Sequence, residues 1–192
     1  MKLNQVVRVT AVVILLLLQG CAAVALTGAA TGASVAYDRR TTGTVVEDEA
    51  IELKASKALF EDKSLHEQAH LNVTSYNTRV LVTGETPSEE LRARAIDIVR
   101  HIEKVSQVYN EITVAAPSSL MTRSSDSVIT SKVKTKLLAD EQVSGINVKV
   151  VTENGVVYLM GIVSHTEADV ATNIARETGG VQKVVKLFEY TD

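Results

Sequence analysis

IELKASKALFED, running from Ile51 to Asp62, returns 78 residues later as ITSKVKTKLLAD, from Ile129 to Asp140. In both copies apolar residues recur at i, i+4 and i+8 (Ile51, Ala55, Leu59 and Ile129, Val133, Leu137), the spacing that lines one face of a helix. Downstream the match continues at an offset of 77. Leu71 to Val73 lies over Val148 to Val150, and NTRVLVTG (Asn77 to Gly84) over NGVVYLMG (Asn154 to Gly161). These are two short strands joined by a turn, around Tyr76-Asn77 in the first copy and around Glu153-Asn154-Gly155, an Asn-Gly hairpin signal, in the second. A repeat of this length changes the fold expected of the chain from one domain to two.

Each copy goes on to a second helix. Thr86 to Glu90 places Pro87 and two acids at a helix start, and Ser164 to Glu167 has capping-box spacing. Leu91, Ala95, Ile98 and Ile102 form the expected inward stripe of one helix, and Ala168, Ala171, Ile174 and Ala175 that of the other. A closing strand follows, Val105 to Ile112 and Val181 to Phe188. Helix, strand, strand, helix, strand therefore occurs twice, at 45–114 and 124–192, across a period-free linker at 115–123 containing Pro and Ser. Two helices on one face of a three-stranded sheet bury those stripes most economically, giving an α+β fold class of two tandem αββαβ units. Units so small are marginal by themselves. Packing of the two against each other is expected, with beads on a linker as the competing arrangement.

The chain of 192 residues has 45% hydrophobic, 22% charged and 4% aromatic residues, with 10 Gly, 2 Pro, no Trp and one Cys. One sulfur excludes a disulfide framework, and the Gly and Pro content excludes collagen-like and wholly disordered chains. A formal charge of −3 gives no basic footprint for nucleic acid.

The single Cys stands at position 21. Before it, Lys2 and Arg8 precede an uncharged run from Val9 to Leu18, the charged and apolar regions of a secretory signal, too short to span a bilayer as a mature helix. Leu18-Gln19-Gly20-Cys21 resembles the lipobox of bacterial lipoproteins. The resemblance implies a signal peptide at 1–20, cleavage between Gly20 and Cys21, and diacylglyceryl and N-acyl modification of Cys21. Ala22 in place of Asp implies sorting to the outer membrane, facing the periplasm. Two or three acyl chains hold a protein to a bilayer essentially permanently, at about 0.8 kcal/mol per buried methylene. Cleavage leaves 172 residues, and the loss of Lys2 and Arg8 takes the formal charge from −3 to −5. Residues 21–44, rich in Ala, Gly, Thr and Ser, read as a lipidated flexible tether, the alternative being a small-residue helix packed on the body.

The repeated unit, with an apolar hairpin strand ending in Gly (Val80 to Gly84 and Val157 to Gly161) and a Val-containing closing strand, resembles the BON domain. Two such domains behind a lipobox resemble the dual BON-domain outer-membrane lipoprotein family over essentially the whole chain. The resemblance implies a mixed sheet in each domain and a non-enzymatic role. That role is phospholipid binding in the periplasm, support of the outer-membrane barrier and enrichment at division sites. It implies lipid contact mainly on the first helix of the second domain.

There the residues have chemistry of their own. Between Asp126 and Asp140 stand Lys132, Lys134 and Lys136 and no acid, whereas Glu49 to Asp62 holds four acids and two lysines. With Ile129, Val133 and Leu137 inward, Val128, Lys132 and Thr135 fall on one outer side and Lys134 and Leu138 on the other. A small apolar side chain beside lysines suits a surface that dips into acyl chains while ammonium groups meet phosphates. The expected partners are anionic phospholipids such as phosphatidylglycerol and cardiolipin. A merely solvated lysine face is the alternative. Family members can carry a large aromatic where this chain has Val128, so shallower insertion is expected here.

Catalytic and metal constellations are not indicated. His66 and His70 have i, i+4 spacing but no third ligand at a recognisable interval. There is no G-x-S-x-G or phosphate-binding loop, and Glu89-Glu90 suits a helix start better than an acid pair. No catalytic residue, metal or cofactor is expected. The second functional class compatible with the sequence is an adaptor whose acidic first unit, with a formal charge of −5 over 45–114, docks an envelope protein.

Overall fold

Two aspartates 78 residues apart set each module in place. Asp48 lies 2% exposed on the first helix, and its carboxylate accepts the Asn77 and Thr78 amides (2.8 Å each) and the Ser75 hydroxyl (2.6 Å). Asp126, 5% exposed, accepts the amides of Asn154 (2.9 Å) and Gly155 (2.8 Å). Both turns place two consecutive residues at positive φ, Asn77-Thr78 and Asn154-Gly155, which matches the twist of a tight hairpin. The buried carboxylate satisfies turn amides that the two-residue loop leaves without a strand partner.

The computed structural model describes Asp38 to Asp192. The expected signal peptide at 1–20, Gly20, Cys21 and the tether as far as residue 37 lie outside the described residues. In chain order the elements are α1 (Thr42–Glu61), α2 (Lys63–Gln68), β1 (His70–Tyr76), β2 (Arg79–Thr86), α3 (Glu89–Arg100) and β3 (Gln107–Val114). They continue as α4 (Leu120–Ala139), a 3-10 turn (Gly145–Asn147), β4 (Val148–Glu153), β5 (Val156–Val163), α5 (His165–Arg176) and β6 (Lys183–Tyr190). Each sheet pairs its hairpin antiparallel and its closing strand parallel, so both are mixed, in the orders β1-β2-β3 and β4-β5-β6.

Helix starts fall earlier than composition suggests. Thr41 caps α1 through the Thr44 amide and Ser119 caps α4 through the Thr122 amide, so Thr42–Thr44 and Leu120–Arg123 are helical where tether and linker are expected. Small and hydroxylated residues have no sustained period, but a Thr or Ser N-cap can start a helix whose first turn carries no apolar stripe. The short α2 is also not foreseen. Asp62 ends α1 in an extended conformation, and its carboxylate then caps α2 through the Ser64 and Leu65 amides at 3.1 Å.

Ile51, Ala55 and Leu59 with Val80 and Val82 make one core, and Ile129, Val133 and Leu137 with Val157 and Leu159 the other. Full burial of each such Val or Leu contributes about 2 kcal/mol. On α3 the deepest residues are Ala95, Ile96 and Val99, with Leu91 and Ile98 at the margin, and Ile102, expected on the same stripe, is partly buried in the turn beyond the helix end at Arg100. The small Ala95 lets the helix approach closely on that side, which carries Ile96 inward and rolls Ile98 toward the rim. A Cβ on Gly84, at φ +113°, would stand 2.0 Å from the His70 carbonyl oxygen. One on Gly161 would stand 2.3 Å from that of Asn147. The Gly near the end of each hairpin strand is thus required by the close approach of the preceding segment.

The strands β2 and β5 are buried on both faces, because the two sheets stack back to back. Tyr76, Leu81, Tyr158 and Met160 form a third apolar cluster between them, giving layers of helix, sheet, sheet and helix. Polar contacts frame this seam: Asn77 and Arg79 with Glu189 (2.9 and 3.0 Å), Asn72 with Glu153 (2.9 Å), and Asn154 with Glu85. The modules are packed together, and the beads-on-a-linker arrangement does not occur. The described residues, Asp38 to Asp192, lie within one compact unit.

Candidate lipid-facing surface

The outer side of α4 is built by what its inner side requires. Asp126, Ile129, Val133 and Leu137 are buried, so the remaining positions look outward. Val128 is 51% and Leu138 62% exposed, and Lys132, Lys134 and Thr135 are all exposed. The helix begins at Leu120, so Leu120 and Met121, more than four-fifths exposed, lengthen this apolar supply beyond what the sequence indicates. They stand in a stretch without period, which gives sequence reasoning no signal for them.

Hydroxyls on this side turn back onto their own helix. Ser127 donates to the Arg123 carbonyl (3.0 Å), Ser131 to that of Ser127 (2.9 Å) and Thr135 to that of Ser131 (2.9 Å). Their polar demand is met internally, which lowers the cost of moving the face out of water. A shallow groove runs along it between Ser124, Val128, Lys132, Thr135 and Lys136. Lys134 is not in this groove. It lines a separate cleft on the other flank of α4, with Arg123 and Lys149, while Leu138 projects nearer the C-terminal end of the helix. The five expected residues therefore lie on one helix, distributed over two of its flanks.

Charge rather than apolar exposure distinguishes the modules. On α1, Val46, Leu53 and Phe60 are more exposed than Val128. Lys54 and Lys57, however, face Glu103 at 3.5 Å and Glu61 at 3.7 Å. Among the described residues, Lys132, Lys134 and Lys136 form no ion pair, so their full charge is available to an anionic surface. Each such lysine is worth about 1 kcal/mol near anionic lipid.

The chain enters this body beside the C-terminal end of α4. Arg39 donates its amide to Asn147 (2.9 Å) and its guanidinium to the Ile162 carbonyl and to Glu167. Asn147 closes the turn whose Gly145 lies so near Leu137 that a Cβ would stand 2.6 Å from the Leu137 carbonyl. Hydrogen bonding to Arg39 holds the Glu167 carboxyl down at about 2. The next residue, Arg40, pairs with Asp38 and with Asp48 (2.9 Å) and stacks over the Tyr76 ring at 4.1 Å. Its hydrogen bonds with Asp38 and Asp48 outweigh its burial and raise its pKa.

His66 sits in α2 against Phe60, and His70 opens β1. No cluster of three metal-ligating side chains occurs among the described residues. Glu89 and Glu90 stand in the first turn of α3, Glu89 paired with Arg92.

The BON domain model matches residues 47–116 and 125–192. The chain is 41% identical over 175 residues to Outer membrane lipoprotein DolP of Haemophilus influenzae, covering 91% of each chain. It is 40% identical over 153 residues to the 21 kDa hemolysin of Actinobacillus pleuropneumoniae, covering 80% of this chain and 79% of that one. It is 30% identical over 161 residues to Osmotically-inducible protein Y of Escherichia coli K12, covering 82% and 80%. With two BON domains in the described body and that identity across nine-tenths of both chains, the protein belongs to the dual BON-domain family of outer-membrane lipoproteins, lipid-anchored at the outer membrane.

Proposed function

We propose that this protein, acylated at Cys21 and facing the periplasm, binds anionic phospholipid through α4 of its second BON domain. In doing so it supports outer-membrane integrity, including at sites of division. The observation that carries the reading is the unpaired basic face of α4, where lysines without acid partners among the described residues border exposed Val128 and Leu138 on a helix whose hydroxyls are already bonded. The docking of Arg39 on Asn147 supports it too, because the first described residues meet the body at the same end as the C-terminus of α4. The body acts as a binding module and not as a catalyst.

Flotation of residues 38–192 with vesicles tests this. Phosphatidylglycerol or cardiolipin vesicles retain the body more than phosphatidylcholine vesicles do, and Lys132→Glu with Lys136→Glu lowers retention at least about tenfold. Equal retention on neutral and anionic vesicles, or no loss in the double variant, defeats the reading. A second reading, a protein-docking adaptor, is favoured by the exposed stripe of Val46, Leu53 and Phe60 at intervals of seven along α1. Stoichiometric crosslinking to one envelope protein through Leu53, without vesicle binding, supports that reading instead.

A further inference from the structure

Where the edge strands β1 and β4 meet the inner flank of α4, the two sheets leave a cleft of about 680 Å³. We propose that this cleft is a binding site for a phosphodiester headgroup. The inference rests on the lipid-binding reading above and adds a site to it: α4 becomes the wall between a headgroup cleft on one flank and an acyl-facing surface on the other. Ser127 and Ser131 border both the cleft and the outer groove, so the two are continuous across one helix.

The cations of the cleft come from both α4 and β4. Lys134 projects from α4 and forms no ion pair among the described residues. Arg123, also on α4, binds the Ser118 carbonyl and hydroxyl through Nη2 and Nε, which leaves Nη1 without a partner among the described residues. Lys149 on β4 stands 3.6 Å from Glu52, with its side chain 36% exposed. The acids of the cleft are Asp126 and Glu153. Asp126 is occupied by the turn amides of Asn154 and Gly155. Glu153 receives Asn72 and Thr83 on Oε2 alone. Its other oxygen, Oε1, takes no hydrogen bond from the described residues, and Glu153 lines the cleft. There it can accept a hydroxyl, such as those of a glycerol headgroup.

With Lys149 paired to Glu52, the remaining cations Lys134 and Arg123 stand beside the two acids Asp126 and Glu153, so the cleft suits a single negative charge held between Lys134 and the Arg123 Nη1 better than two. A phosphomonoester or free phosphate brings nearly two negative charges and faces Glu153 at the floor. Lys132 and Lys136 lie on the outer side of α4 and supply general attraction to the surface. Lys134, on the cleft side, discriminates among headgroups.

Nuclear magnetic resonance on residues 38–192, which hold both cores and the seam, tests the assignment with glycerophosphoglycerol, the water-soluble headgroup of phosphatidylglycerol. It shifts the amides of Lys134, Lys149 and Thr152 and leaves those of Val128 and Leu138 in place. Lys134→Gln weakens this titration at least about fivefold and narrows the preference for phosphatidylglycerol over phosphatidylserine vesicles, and Lys132→Gln changes neither. Absence of shifts in the cleft overturns the proposal, as does equal weakening by Lys132→Gln and Lys134→Gln. Inorganic phosphate binding as tightly as the diester overturns the headgroup assignment in favour of a free-phosphate site. Cleft shifts that survive while vesicle retention ignores Lys132→Glu with Lys136→Glu support the diester site and separate it from the lipid-face reading.

Discussion

The Asn154 amide donates to the Asp126 carboxylate over 2.9 Å, so a residue near the start of α4 governs the tip of a hairpin 28 positions downstream. The Gly155 amide shares the same carboxylate. Asp126→Ala strands both donors, each at about 1–3 kcal/mol when buried, and should cost roughly 2–4 kcal/mol in denaturant unfolding. Asp126→Asn retains one acceptor and should cost less than the alanine variant. A loss below about 1 kcal/mol for the alanine variant shows that the turn holds itself.

Thr78 occupies φ 63° in the first hairpin, a conformation disfavoured for a β-branched residue, where the second hairpin has Gly155. Thr78→Gly should raise stability by about 0.5–1 kcal/mol after the added chain entropy of Gly is deducted. Thermal unfolding of the variant beside its parent measures it, and an unchanged or lowered midpoint contradicts the expectation.

Glu153 lies in the seam, where burial first, and then the charges of Glu85 and Asp126, push its carboxyl up, against the bond from Asn72. As pH rises from the ordinary carboxylate value through the raised one, the unfolded chain gives up this proton before the native chain does. Stability from this group therefore falls over that interval. Glu153→Gln keeps the acceptor for Asn72 and abolishes the titration. The variant should be more stable than its parent at pH 7, with the gap closing below about pH 4. A gap independent of pH shows that ionisation is not its origin.

Glu167 shows the opposite sign. With its carboxyl held at about 2, chiefly by Arg39, the native chain keeps a charge that the unfolded chain loses at ordinary acidity. The stabilisation is present above the ordinary value of 4.5 and disappears as pH falls toward about 2. Arg39→Ala should lower the unfolding midpoint at pH 7 and leave it close to the parent's near pH 2. Parallel curves for the two proteins across that range contradict the assignment.

On the proposed lipid-binding reading, Val128 sets how deeply α4 enters a bilayer. Val128→Trp should increase vesicle retention of residues 38–192 several-fold, from the added apolar area and the preference of Trp for the interface. Val128→Asp should reduce it. Flotation at fixed lipid concentration separates the two, and equal retention removes Val128 from the contact.

The repeat made the two modules legible, because helix and hairpin recur with the same polarity pattern at nearly constant spacing. The same correspondence extends further upstream: Asp48 and Asp126 precede Ile51 and Ile129 by the same three residues, and both support hairpin turns. Asp126 stands just beyond the linker expected at 115–123, among Ser124, Ser125 and Ser127, where no apolar period marks a helix. The seam was only partly legible. Alternate positions on β2 and β5 are apolar on both faces, Leu81 beside Val82 and Tyr158 beside Leu159, which marks a strand covered on both sides but does not name its cover. Lys134 and Lys132 are two residues apart on one helix, and their separation into cleft and groove depends on β1 of the other module, which no local pattern encodes.

Arg39 and Arg40 are consecutive yet bind different modules, one reaching Glu167 and Asn147, the other Asp48 and Tyr76. A pull on the chain from its N-terminal side is therefore divided at once between both halves of the body, and the load crosses the seam as shear instead of peeling α1 away from its sheet. The first described residues of the chain thus tie the two modules to each other at the joint between them.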